Sequence, residues 1–212
     1  MKITENVYQL ESTKYSHAFL VKGEENILID TGMPGLAKKI LEELESLGAP
    51  PDTIRTILLT HHDIDHIGNA KQLQEATGAD IWAPENDIPY INGGQNRPGV
   101  KHVIQTLVKV NKPDLFGSYT INQNFGEISP IYAPGHTPGH TIFKYRNVLF
   151  TGDLFKIKNG CFKLSPGFMT WDQNAVKKSI SLLKKLDFEW LCPAHGEPIQ
   201  NGPTVKDFLS LY

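Results

Sequence analysis

The chain has 212 residues, 40% of them hydrophobic and 21% charged, a profile that suits a globular protein with a sizeable core and predicts one domain over 1–212. A net charge of −2 supplies no basic excess to neutralise phosphates, so no nucleic-acid partner is expected. No apolar run approaches the roughly 20 residues that span a bilayer, and residues 1–12 lack a secretory signal pattern, which argues against a membrane and for a cytoplasmic location.

In chain order, Val7-Tyr8-Gln9-Leu10, residues 17–21 and Asn26-Ile27-Leu28-Ile29 are short apolar or alternating runs that read as a meander of strands. Leu36, Ile40, Leu41, Leu44 and Leu47 then recur at helical spacing, and Gly48 with Pro50-Pro51 ends that helix. A strand over 54–59, a helix near 67–76 and a strand at Asp80-Ile81-Trp82 follow. Residues 84–98, rich in Pro, Gly and Asn, read as a loop, and a helix is expected over about 99–110. Further strands are expected around 128–132, 141–145 and 148–151. Asp172 is a candidate N-cap for a helix carrying Val176, Ile180, Leu183 and Leu186, and Trp190-Leu191-Cys192 reads as the last strand. Strands and helices mixed in both halves predict α/β layers, with sheets beneath outer helices.

The chemistry gathers where strands end. Leu58-Leu59-Thr60 leads abruptly into His61, His62, Asp63, Asp65 and His66, five candidate metal ligands within six residues. Such crowding at the end of a buried strand needs a cause, because a buried charge costs several kcal/mol unless it is paired or metal-bound. Three more junctions have the same character: the turn Pro134-Gly135-His136-Thr137-Pro138-Gly139-His140, the strand end Thr151-Gly152-Asp153, and Cys192-Pro193-Ala194-His195-Gly196. An α/β sheet places its functional groups at such junctions. Imidazole nitrogens suit zinc, iron and related metals, while carboxylates add charge and can bridge two ions.

This ordered set resembles the metallo-β-lactamase-fold superfamily, whose signature is a Thr-His-x-His-x-Asp-His loop followed by single metal ligands; the match runs from Leu28-Ile29-Asp30-Thr31-Gly32 to His195. The resemblance implies a four-layer αββα sandwich with the metal site at the strand ends between two sheets. It also implies two divalent ions, zinc first, with iron or manganese as alternatives. By that resemblance His61, Asp63 and His140 serve the first ion, Asp65, His66 and His195 serve the second, and Asp153 bridges them. Asp30 is implied to support the site and Asp65 to orient the attacking water. Asp63 departs from the family, which has histidine there; a carboxylate is a harder ligand and makes iron or manganese more competitive.

Other residues carry weaker signals. His62 is expected at the rim or behind the ligands, His136 as a hydrogen-bond partner of its turn, and His17 and His102 have no supporting motif. Tyr90, Trp82 and Trp171 read as core or rim. Cys161 and Cys192 form no CxxC pair and read as small buried residues. The implied reaction is hydrolysis of an ester, thioester, lactone or amide in a small-molecule substrate by metal-activated hydroxide. An iron-dependent oxidoreductase, a phosphodiesterase and a metal-binding protein without turnover are the alternatives. The resemblance extends to diiron flavoproteins, whose flavin domain has no room here, and to glyoxalase II-type thioesterases, whose additional C-terminal region the short stretch after His195 does not supply. Substrate choice is expected in loops 84–125 and 156–171, the first as a helical flap. Lys156, Lys158 and Lys163 in the second read as a solvated face. Nothing in the sequence specifies an oligomeric state.

Overall fold

The computed structural model describes residues 1–97, 99–120 and 122–212, with Gln105 followed along its backbone. Pro98 and Ile121, both within the expected 84–125 loop region, lie outside the described residues. The chain groups into two compact units, Met1–Ser118 and Tyr119–Tyr212.

The first unit carries β1 (Val7–Gln9), β2 (Phe19–Val21), β3 (Asn26–Ile29), α1 (Ala37–Ser46), β4 (Ile54–Leu58), α2 (Ile64–Ile67), α3 (Ala70–Thr77), β5 (Asp80–Pro84), α4 (Ile88–Ile91), α5 (Val100–Leu107) and β6 (Leu115–Tyr119), its strands ordered β1-β2-β3-β4-β5-β6 in one sheet. The first three strands pair antiparallel, as the meander predicts, whereas β3, β4 and β5 are parallel. Parallel neighbours need crossovers, and the helices α1 and α3 supply them. Their apolar stripes explain why they are helices: Ile40, Leu44 and Leu73 are fully buried against Leu28, Ile57 and Ile81. Because β3, β4 and β5 run the same way, the loops leaving their carboxyl ends emerge on one edge, and Asp30, His61 and Asp87 all lie just beyond those ends.

The second unit carries β7 (Ile128–Tyr132), β8 (Thr141–Tyr145), β9 (Val148–Gly152), the hairpin β10 (Lys156–Lys158) and β11 (Cys161–Lys163), α6 (Gln173–Leu183), β12 (Trp190–Pro193), β13 (Ile199–Gln200) and α7 (Pro203–Ser210). Its sheet has the order β13-β12-β9-β8-β7. The strands β9 and β12 are parallel while β8 is antiparallel to β9, so the ends of β9 and β12 and the turn entering β8 share one edge. Helices α6 and α7 bury Val176, Ile180, Leu183, Val205 and Leu209 over Leu149 and Leu191. Asp172 caps α6 as expected, its Oδ1 accepting from Asn174 N at 2.8 Å and Ala175 N at 3.1 Å.

The expected loop over 84–98 holds a 3-10 turn, Glu85–Asp87, and the short helix α4, where Pro89 stands in the first turn and costs no helical hydrogen bond. The strand β6, the β10–β11 hairpin, β13 and α7 go beyond the sequence reading. Among the described residues, no helix is long and apolar enough to cross a membrane.

Candidate metal centre

In the first unit the ligand loop is the corner between β4 and α2. Asp30, at the end of β3, organises it. This buried residue has φ +60°, a conformation that aspartate tolerates better than most side chains but that still costs free energy. Its Oδ1 accepts from Thr60 N at 2.8 Å and its Oδ2 from Thr60 Oγ1 at 2.7 Å. The same Oδ2 lies 2.8 Å from His66 Nδ1. The single hydroxyl hydrogen of Thr60 thus goes to Asp30, so the oxygen accepts from His61 Nδ1, 2.9 Å away. One carboxylate, as the terminal acceptor, thereby keeps the proton of both imidazoles on Nδ1, directly or through Thr60, and leaves each Nε2 with a lone pair for a metal. Ser16 Oγ stands 3.2 Å from His66 Nε2. The backbone is tied as well: Thr31 N and Oγ1 both donate to His66 O at 2.8 Å, and Asn69 Nδ2 donates to Thr31 O and Met33 O.

Asp63 Oδ2 is 3.5 Å from His61 Nε2, and Asp65 Oδ2 is 3.9 Å from His66 Nε2. Two ligands about 2.1 Å from one tetrahedral ion stand roughly 3.4 Å apart. The first pair meets that spacing; the second is slightly wider, and its Asp65 side chain is the most solvent-accessible of the four at 26%. His62 is fully buried rather than at a rim: its Nδ1 is 2.9 Å from Asp87 Oδ2, and its ring stacks on Tyr90 at 4.4 Å. The His62 backbone N–H donates to Asp87 Oδ2 at 2.9 Å, and its carbonyl accepts from Arg97 Nε and Nη2. Burial pushes the Arg97 guanidinium down from its usual range, against the opposing pull of Asp63, Asp87 and Asp65. Lys101 Nζ lies 2.6 Å from Asp63 Oδ2. Asp87, Arg97 and Lys101 were not anticipated, and all three come from the 84–125 region expected to form a flap.

In the second unit Asp153 is the focus. Its Oδ1 lies 3.2 Å from His195 Nε2 and its Oδ2 3.5 Å from His136 Nε2, so each carboxylate oxygen faces a different imidazole at a spacing suited to a shared ion. The turn between β7 and β8 differs from expectation. His140 places Nδ1 3.0 Å from Ala133 O, and its Nε2 accepts the Asp153 backbone N–H at 3.0 Å. Its lone pair is spent on the backbone, and His136 instead presents a ring nitrogen to Asp153. His136 is 2% exposed and its carbonyl accepts from Trp171 N at 3.1 Å, which fixes the turn to the start of α6. His195 is held by the hairpin: Ile157 N donates to His195 O at 3.0 Å, and a Cβ on Gly196, at φ +113°, would meet Ile157 O at 1.7 Å. Leu164, Ser165 and Thr170, from the 156–171 segment, line a small pocket beside His136 and Asp153. Cys192 is fully buried, as expected, and burial pushes its thiol up; Cys161, expected to be buried too, is instead exposed on β11.

The metallo-beta-lactamase superfamily model matches residues 13–195. The probable metallo-hydrolase YybB of Bacillus subtilis is 28% identical over 92% of this chain and 88% of its own. A hydroxyacylglutathione hydrolase of Serratia proteamaculans is 26% identical over 96% of this chain and 71% of its own. Among solved structures, the di-iron-bound form of TTHA1623 is similar with a TM-score of 0.73 and 25% identity, over 91% of this chain and 93% of that one. A metallo-β-lactamase from Cronobacter sakazakii shares the fold with a TM-score of 0.73 at 20% identity, over 92% of this chain and 79% of that one. The α/β architecture and donor-rich strand ends agree with these likenesses: the chain belongs to the metallo-β-lactamase superfamily and is a metal-dependent hydrolase.

Proposed function

We propose that the chain binds two divalent ions and hydrolyses a small acyl substrate, an ester, thioester, lactone or amide. His61, Asp63 and His136 serve the first ion, Asp65, His66 and His195 the second, and Asp153 both, with His136 in the role expected of His140. The observation that carries this reading is Asp153, whose two oxygens each face a different histidine, at 3.2 and 3.5 Å. Family membership supplies the pairing of the two ligand sets, since the family model runs through both units; spacings inside each unit supply the ligands.

Bound ions would lower the pKa of a water toward neutrality and polarise the scissile carbonyl. Asp30 and Thr60 hold His61 and His66 with the proton on Nδ1, so no proton would need to leave either ring for an ion to bind. Asp65, the most accessible carboxylate of the loop, would help hold the second ion and is the group placed to orient the attacking water. Thioesters come first among the substrates to test because hydroxyacylglutathione hydrolases are among the similar proteins. Zinc is the first metal and iron the second, supported by the hard Asp63 carboxylate and the likeness to a di-iron-bound protein.

Elemental analysis of chain purified without added metal is expected to give two ions per chain. Chelation should abolish hydrolysis across a panel of thioester, ester, lactone, β-lactam and phosphodiester substrates, and one of zinc, iron or manganese should restore it. Hydrolysis that survives complete metal removal would overturn the reading.

A further inference from the structure

The helix α5 is turned the wrong way round for a surface helix. Its Val100, Val103 and Leu107 are 37%, 55% and 78% exposed, while Lys101 is 5% exposed. Lysine is among the residues least often buried, and it is buried only where something pairs with it. Here the partner is Asp63, whose Oδ2 lies 2.6 Å from Lys101 Nζ, with both side chains at most 10% exposed. That same Oδ2 is the atom 3.5 Å from His61 Nε2, at the spacing of two ligands on one ion. A fixed ammonium and the first metal position therefore share one carboxylate oxygen.

From this we infer that Lys101 is a positioning residue that makes the His61–Asp63 metal position the weaker and more exchangeable of two; the inference rests on the two-ion reading above. The ammonium draws on the electron density Oδ2 would offer an ion and sets a unit positive charge within a few ångströms of it. Like charges at that range, in a buried site with little water to screen them, oppose binding strongly. The Asp65–His66 position does not share this oxygen. Lys101 also restores the charge of the loop: the carboxylate at position 63 adds one negative charge relative to an imidazole, and the ammonium cancels it.

Stepwise zinc and cobalt(II) titration of the chelator-stripped full chain, against a competing chromophoric chelator, tests the inference without any substrate, and far-UV circular dichroism checks the fold. Wild type is expected to bind two ions with affinities at least roughly 100-fold apart, and Lys101→Met should tighten the weaker step at least about 10-fold while leaving the tighter one within about 3-fold. Lys101→Arg, which keeps the charge, should keep the gap. One ion in wild type and two in Lys101→Met would support the same conclusion in its strongest form. Two equal affinities in wild type would overturn the inference, whether or not the variants fold, and leave the two-ion reading standing. A folded Lys101→Met with an unchanged or weakened second step would overturn it too. A single ion in both wild type and a folded Lys101→Met would overturn the two-ion reading itself, and the inference with it.

Discussion

The two units solve the same problem, presenting metal-seeking side chains at a sheet edge, by opposite means. In the first, four ligand candidates sit within six residues on one strand-to-helix corner, and a single carboxylate, Asp30, sets the proton on both imidazoles. In the second, His136, Asp153 and His195 come from three separate strand junctions, and sheet pairing brings them together. A contiguous set is positioned by local backbone and one hydrogen-bonded support; a dispersed set is only as well placed as the contacts that dock its strands and turns.

Substitutions can break or sharpen this contrast. Asp153→Ala should have the largest effect, lowering kcat/KM on the order of 1,000-fold, about 4 kcal/mol, and leaving less than one ion per chain by elemental analysis. Next comes a divergence inside one turn. His136→Ala is expected to lower metal affinity by about 100-fold, as loss of a ligand should, with little change in urea stability. His140→Ala should retain its ions yet lose about 1–3 kcal/mol of stability, because the buried Asp153 N–H and Ala133 carbonyl lose their partner. The reverse pattern would return the ligand role to His140. In the first unit, Asp30→Asn should weaken metal binding by about 10–100-fold while conserving shape, since an amide cannot fix both imidazole tautomers. Among the substitutions expected to weaken metal binding, Gly196→Ala should do so least; it should cost about 1–3 kcal/mol of stability through its clash with Ile157 and shift His195. Unchanged thermal unfolding would show that the hairpin does not hold His195.

Much of this contrast was legible in the sequence, and its limits were physical. The β3–α1–β4 run was readable because long periodic stripes face one core, and the ligand loop because crowded charge at a strand end has few other uses. The hairpin was not read, although Asn159-Gly160, at φ 52° and 71°, has the conformation that a two-residue turn demands. Its three-residue strands are too short for alternation to register. Helix α7 carried a usable signal in Pro203 followed by Val205, Phe208 and Leu209, but over only two turns. His136 and His140 are the same residue type four positions apart, and what separates them is that backbone groups engage both ring nitrogens of His140, while His136 turns Nε2 to Asp153. Lys101 reads as one more surface lysine, because nothing local announces that α5 faces it inward.

The weld between Ile157 and Gly196 also has a use in protein engineering. The β10–β11 hairpin opens the 156–171 segment, whose Leu164, Ser165 and Thr170 line the small pocket, so a library aimed at new substrates would naturally be placed there. Its tip, Asn159-Gly160, takes no part in the bond that Ile157 N makes to His195 O. Diversity introduced at Asn159 and Gly160 should therefore leave that bond in place, whereas randomising Ile157 or Gly196 should disturb it.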